Sequence, residues 1–135
     1  MSNKAEEVLA KHKKGYNCAQ AVACVYSDNF DVTEKEAFRA MESFGLGMGT
    51  MQTCGAVSAL AYLVGLKVSD CELDQPKTKA QCYKVMREMI QAFEEKNESV
   101  VCRTIKGVDT GVMLRSCDGC MTDAAELVEQ YLLSK

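Results

Sequence analysis

Apolar side chains recur every three to four residues along most of the chain, which is the period of an amphipathic α-helix. One such stripe comprises Cys18, Ala21, Val22 and Val25. Comparable patterns predict helices over residues 3–14, 17–29, 33–43, 53–66, 76–97 and 119–133. Residues 99–117 are less regular, and no segment shows the sustained two-residue alternation of a strand. The pattern therefore predicts an all-α protein, a single-domain helical bundle of about five to six helices spanning residues 1–135.

Several helix ends are marked by residues with known capping roles. Gly15 follows a basic last turn, which predicts the end of the first helix. Thr33 and Glu36 have the spacing of a capping box at the start of the third helix. Asp74 and Pro76 predict the cap and the first turn of the longest helix, because the missing N–H of proline costs nothing there.

Composition and charge narrow the classes of function. The chain has 135 residues, a net charge of -3 and an isoelectric point near 5.2, so nucleic acid is not an expected partner. No stretch approaches the roughly 20 apolar residues of a membrane span, and the charged N-terminus has no apolar signal region. We therefore expect a cytoplasmic protein. In that compartment thiols are kept reduced, and a cysteine pattern indicates metal binding or catalysis rather than structural disulfides.

The chain contains eight cysteines, and they are its most informative residues. Cys18 and Cys54 lie at predicted helix starts, and Cys117 and Cys120 form a C-x-x-C pattern just before the last helix. Free N–H groups and the positive end of the dipole at a helix start favour the thiolate, which is the form that binds metals and attacks disulfides. With Cys102 added, these residues can assemble a four-thiolate site between facing helices.

The other three cysteines have a simpler interpretation. Cys24, Cys71 and Cys82 have no second cysteine at ligand spacing, and we expect them to pack as small apolar side chains. A glycine-rich segment at residues 44–53, by contrast, precedes Cys54 and carries three alternating glycines. Such a segment lets backbone N–H groups approach a neighbour or ligand closely.

These motifs resemble a known family. The matching residues are Gly15-Tyr16-Asn17-Cys18-Ala19-Gln20-Ala21-Val22, Gly47-Met48-Gly49, Cys54-Gly55-Ala56-Val57-Ser58, Cys102, and Cys120 with Ala124-Ala125. The chain resembles the C_GCAxxG_C_C family of redox-active proteins, which is defined by four cysteines and a C-G-A-x-x-G motif. Ala59 stands where that motif ends in glycine, which is a change between small residues. The family is similar in turn to a region of split-Soret cytochromes that resembles an iron–sulfur domain, so the resemblance implies redox activity.

Three classes of function remain open. Soft thiolate ligands accept an iron–sulfur cluster or a zinc ion, and the main expected ligands are Cys18, Cys54, Cys102 and Cys120, with Cys117 as a fifth. The leading hypothesis is an iron–sulfur cluster used in electron transfer or redox sensing. The alternative is a metal-free thiol–disulfide protein in which Cys54 or Cys120 attacks and Cys117 resolves. The third class is a helical module whose cysteines only pack.

Further expectations concern haem and partners. Covalent haem is not expected, because Met121 rather than a histidine follows Cys120. The expected partner is a redox protein of unknown identity. The sequence leaves open a homo-oligomer and whether the chain is an enzyme.

Overall fold

Helices account for the regular structure of this protein. The computed structural model describes residues 3–133, and the only β pairing within this range is one antiparallel bridge between Thr53 and Val101. The α-helices are α1 (Asn3–Lys14), α2 (Cys18–Tyr26), α3 (Glu34–Met41), α4 (Gly55–Val68), α5 (Lys79–Asn97), α6 (Cys102–Lys106) and α7 (Cys117–Val128). The predicted all-α fold is confirmed. None of the helices in the described range is long and apolar enough to cross a membrane.

Helix α2 forms the centre of the bundle. Its nine residues are small or apolar apart from Gln20, and all nine are buried. A helix that is apolar on every side must be covered on every side, and α2 accordingly packs against α1, α3, α4 and α7. Because Cys18 is its first residue, the start of this central helix brings a thiol into the middle of the protein.

The start of α2 is fixed by a capping box. The side chain of Asn17 accepts a hydrogen bond from the Gln20 N–H (2.8 Å), and the Gln20 side chain accepts one from the Asn17 N–H (3.0 Å). The Asn17 Nδ2 group also donates to the carbonyl of Glu42 (2.9 Å). These bonds tie the first turn of α2 to the end of α3.

Buried polar contacts join α2 and α5 to α7. The hydroxyl of Tyr26 donates to the Glu129 carboxylate at 2.7 Å and lies 3.2 Å from the carbonyl of Ala125. Asp123 is also buried, and it accepts hydrogen bonds from Asn97 and Arg115 at 3.0–3.2 Å. Buried polar groups need such partners, so these contacts fix the position of α7 relative to its neighbours.

The observed start of α5 differs from the prediction. The helix begins at Lys79, after an N-cap position at Thr78, rather than at Pro76. The N–H of Asp74 donates to the side chain of Glu72 (3.1 Å), in a loop made of successive bonds from backbone to side chain. Such local bonds compete with helix formation, and they keep residues 74–78 outside the helix.

The presence of α6 and the start of α7 also differ from the prediction. The sequence predicts only an irregular segment over residues 99–117, but Cys102–Lys106 is a short helix that ends at Gly107 in the left-handed region. Helix α7 begins at Cys117, because Ser116 caps it by accepting from the Gly119 N–H (3.0 Å). The C-x-x-C pair therefore lies inside the first turn of α7 rather than before it.

The Tyr26 contact predicts a measurable contribution to stability. We expect Tyr26→Phe to lower the free energy of unfolding by about 1–2 kcal/mol, because it removes the buried donor that joins α2 to α7. Urea denaturation followed by circular dichroism measures this loss. Tyr83→Phe on the exposed face of α5 is the matched control, and an equal effect of the two substitutions would contradict the assignment.

Candidate functional site

Five cysteines occupy the starts of four helices. Cys18 is the first residue of α2, Cys54 is the N-cap residue of α4, and Cys102 is the first residue of α6. Cys117 and Cys120 are the first and fourth residues of α7. The N–H groups of a helix's first turn have no partner within the helix and carry partial positive charge. All five thiols therefore lie near partly positive N–H groups, and the effect of these groups on each pKa competes with burial and with the neighbouring thiols.

The β-bridge brings the start of α6 to the start of α4. The Cys54 N–H donates to the carbonyl of Val100 (2.7 Å), and the Cys102 N–H donates to the carbonyl of Gln52 (2.6 Å). Together with the bridge between Thr53 and Val101, these bonds hold the two cysteine-bearing segments side by side. This pairing places Cys102 beside the other cysteines of the site.

Two glycines allow the close approach of α2 and α4. A Cβ atom on Gly55 would lie 2.5 Å from Cys18 Sγ and 2.9 Å from the carbonyl oxygen of Phe44. A Cβ atom on Gly45 would lie 2.5 Å from the Cβ of Asn17. All three distances are far below van der Waals contact, so a larger residue at either position would displace the start of α2.

Four of the five cysteines surround a small cavity. Its volume of about 20 Å³ corresponds to a single water molecule. The lining residues are Cys54, Cys102, Ile105, Lys106, Arg115, Cys117 and Cys120. Cys18 lies next to this group, because the Cys117 thiol has the largest influence on its pKa.

Exposure separates the five thiols into two groups. Cys18, Cys54, Cys102 and Cys120 are only 3–7% exposed, whereas Cys117 is exposed at the surface. Any electron or reagent that comes from solvent therefore meets the Cys117 side of the site first.

Two of the thiols are poised as thiolates near neutral pH. A hydrogen bond from Cys117 lowers the pKa of Cys18 to about 7, with the backbone N–H of Leu46, in the glycine-rich segment, contributing as well. A hydrogen bond from Cys120 likewise lowers the pKa of Cys54 to about 7, with help from the N–H groups of Ala56 and Val57. In both cases the hydrogen bond lowers the pKa by more than burial raises it.

The partner thiols are held protonated. The hydrogen bond to Cys18, followed by burial, raises the pKa of Cys117 well above its usual value. The hydrogen bond to Cys54, followed by burial, does the same to Cys120. Burial also raises the pKa of Cys102, and the nearby charge of Lys106 opposes that effect. The site therefore consists of two thiol–thiolate pairs with a fifth thiol beside them.

The arrangement of the sulfur atoms is one of pairs. Within residues 3–133, no three cysteine, histidine, aspartate or glutamate side chains converge in a way that would hold a metal ion. Each low-pKa thiol instead has one hydrogen-bonded thiol partner. In this protonation state each pair holds one proton between its two sulfur atoms.

The remaining cysteines lie outside this site. Cys24 is buried, and its thiol donates to the carbonyl of Glu34 at 3.6 Å. Burial raises the pKa of Cys24 to about 11, as suits an inert packing residue. Cys82 is half-buried. The expectation that Cys71 packs is wrong, because this residue is exposed in the loop between α4 and α5.

Sequence reasoning missed the cationic side of the cavity. Lys106 lines it from the last turn of α6, but no pattern in the irregular region 99–117 signalled a helix there. Arg115 also lines the cavity, and it forms an ion pair with the buried carboxylate of Asp123 (3.0 Å). The only signal in the sequence was that Arg115 comes just before a predicted helix that contains the acidic residue Asp123.

Fold and site together define a class: a small all-α protein in which thiols from four helix starts share one site. The model of the family described as "Putative redox-active protein (C_GCAxxG_C_C)" matches residues 16–131. The chain belongs to this family, as its cysteine motifs indicated. No curated protein and no solved structure matches the chain.

The close contact at Gly55 predicts a steric effect of substitution. Gly55→Ala should lower the free energy of unfolding by about 1–3 kcal/mol, because the added methyl group overlaps Cys18 Sγ and the Phe44 carbonyl. Gly65→Ala in the same helix is the matched control, since its methyl group meets no atom within 4 Å. It should be neutral or stabilise the protein by up to about 1 kcal/mol. Equal effects in urea denaturation would contradict this account.

The thiol pairs predict a titration near neutral pH. In metal-free protein at pH 7, about half of the Cys18 and Cys54 thiols should be thiolate, against a few per cent for an ordinary cysteine. Ultraviolet thiolate absorbance measures this fraction. Cys120→Ala should move one titrating group to higher pH, because the bond that favours the Cys54 thiolate is lost.

The control for this titration is Cys24→Ala. The Cys24 thiol titrates far above neutral pH, so its removal should leave the step near pH 7 unchanged. An unchanged titration in Cys120→Ala would show that the bond to Cys120 is not the cause of the low pKa of Cys54.

Proposed function

We propose that this redox-active family member carries a cysteine-ligated iron–sulfur cluster, used in electron transfer or redox sensing. The observation that carries the proposal is the grouping of five thiols from four helix starts, four of them buried, with Cys18 beside the small cavity that the other four line. Iron–sulfur clusters are held by cysteine thiolates, usually four, in surroundings that supply N–H groups and limit water. When bound, such a cluster accepts and donates one electron at a time.

The chemistry of the donor set suits this group, and binding would require the paired sulfur atoms to draw together around it. All candidate ligands are thiols, and no carboxylate or imidazole of the described residues lines the cavity between them. The helix N-termini and the backbone N–H groups beside Cys18 and Cys54 offset negative charge on sulfur. The protons shared within the two pairs would leave on binding, because metal ligation requires deprotonated thiols.

We assign the ligands as Cys18, Cys54, Cys102 and Cys120, with Cys117 as the fifth thiol. The four proposed ligands are buried, as a site with restricted water requires. Cys117 is exposed, so it forms the edge of the site that a redox partner protein can approach. Lys106 lines this region and adds positive charge to it.

A metal-free thiol–disulfide protein is the second candidate, and the hydrogen-bonded pairs favour it. Oxidation of the Cys54 thiolate and the Cys120 thiol would form one S–S bond and pass two electrons and the one proton of the pair to an acceptor disulfide, which would leave as one thiol and one thiolate. Exchange requires an exposed thiolate, however. In this site the low-pKa thiols are buried, and the exposed Cys117 has a raised pKa. Because no thiol in this site combines exposure with a low pKa, the thiol–disulfide function is the second candidate.

Anaerobic purification distinguishes these possibilities. We expect iron and acid-labile sulfide in similar amounts, together with visible absorption that bleaches on reduction. A colourless protein without iron or sulfide, even after reconstitution, would overturn the cluster proposal. Zinc alone would indicate a structural four-thiolate site, and reversible loss of one thiol pair on mild oxidation would indicate the dithiol.

Cysteine variants test the assignment of ligands. Cys54→Ser should bleach the visible absorption, because it removes a proposed ligand at the N-cap of α4. Cys24→Ser and Cys82→Ser are matched controls outside the site, and both should retain the absorption. Equal bleaching in all three variants, with helix content preserved by circular dichroism, would contradict the assignment.

A further inference from the structure

Two cysteines outside the family motifs line a second cavity. Cys71 lies in the loop that follows α4, and Cys82 lies in the first turns of α5. Both line the same surface cavity of about 370 Å³. Both are free thiols, with Cys71 exposed and Cys82 half-buried. The two residues that the sequence assigned to packing therefore share one solvent-accessible space.

The loop is folded so that its two ends lie close together. Lys77 Nζ is 3.7 Å from the Asp70 carboxylate, which joins the residue before Cys71 to the segment just before α5. The Cys82 N–H donates to the carbonyl of Thr78 (3.0 Å), so Cys82 lies one helical turn beyond that point. These contacts hold the loop against the start of α5, where Cys71 and Cys82 line the same cavity.

The backbone at Cys71 is unusual. Its φ of 58° is in the left-handed region, which residues other than glycine seldom adopt. The Cys71 N–H donates to Ser69 Oγ (3.1 Å), and this local bond accompanies the conformation. The Cys71 thiol is exposed, whereas a cysteine whose only role was apolar packing would be turned inward.

We propose that Cys71 and Cys82 form a second dithiol site, which reacts with low-molecular-weight disulfides of the glutathione type. This site is separate from the five-cysteine site and does not depend on a cluster there. The exposed sulfur of Cys71 attacks the disulfide, forms a mixed disulfide and releases one thiol. Cys82 then attacks Cys71 Sγ, forms the internal S–S bond and releases the second thiol. The two cysteine thiols lose two electrons and two protons, and the small disulfide gains both.

The order of attack follows from exposure. An incoming disulfide reaches Cys71 directly, whereas the half-buried Cys82 is reached through the shared cavity. A disulfide requires Cα atoms about 4.4–6.8 Å apart, and the exposed loop is the part of this region that can adjust to that requirement. Closing the bond would link the loop to the first turns of α5 and fix residues 72–81 between the two sulfurs.

Peptide mapping tests the proposal on the full-length protein. Anaerobically prepared protein is treated with oxidised glutathione, its free thiols are blocked by alkylation, and it is digested with trypsin. Cys71 and Cys82 fall on different peptides, residues 68–77 and 80–84. We expect these two peptides to become linked, and the link to be lost after treatment with dithiothreitol.

Two variants separate the roles of attack and resolution. In Cys82→Ser, Cys71 should accumulate as a stable mixed disulfide with glutathione, because no thiol resolves it. In Cys71→Ser, Cys82 should remain free and alkylated. Cys24→Ser is the control, and it should form the linked peptides to the same extent as the wild type.

Three outcomes would overturn the proposal. They are a stable glutathione adduct on Cys71 of the wild type, a link from Cys71 to a cysteine other than Cys82, and complete alkylation of both thiols after oxidant treatment. Each is read from the peptide map whether or not the protein contains iron. A failure here is therefore distinct from a failure of the cluster proposal.

Discussion

The cysteine site depends on one short piece of β pairing in an otherwise helical protein. The bridge between Thr53 and Val101, with backbone bonds of 2.6 and 2.7 Å on either side, joins the start of α4 to the start of α6. Helix α6 has only five residues, and a helix of that length is not stable by itself. The backbone pairing, rather than helix packing, therefore determines where Cys102 lies. The same pairing holds Cys54 at the N-cap of α4, so two of the four helix starts are fixed together.

The electrostatics of the site follow from competition between burial and hydrogen bonding. Burial raises the pKa of every thiol in the cluster, because it removes the water that would solvate a thiolate. Only Cys18 and Cys54 overcome this effect, since each accepts a hydrogen bond from another thiol and faces backbone N–H groups. The pKa values of the donor thiols, Cys117 and Cys120, are raised instead. The site thus favours negative charge on two buried thiols near neutral pH, with helix starts and shared protons as compensation.

The two groups of thiols in this protein differ in the environment that the fold gives them. The five cysteines at helix starts are held by rigid elements, and glycine at position 55 sets the spacing between α2 and α4. Such a site suits a bound group that must be kept from water. Cys71 and Cys82 lie instead beside an exposed loop that is organised by local bonds and one surface ion pair. That environment suits thiols that meet reagents from solvent. The fold therefore gives one group of thiols a buried environment and the other an exposed one.

The sequence by itself determined the all-α fold, most helix positions and the start of α4 at Cys54, because apolar periodicity and capping residues are local signals. It also grouped Cys18, Cys54, Cys102, Cys117 and Cys120, partly through the family motif. Only the tertiary structure decided that Cys102 adjoins Cys54 and which thiols pair, since these contacts join segments about fifty or more residues apart. It also decided that Lys106 lines the cavity and that Cys71 is exposed beside Cys82. Those facts arise from chain segments meeting in space, and no local spacing encodes them.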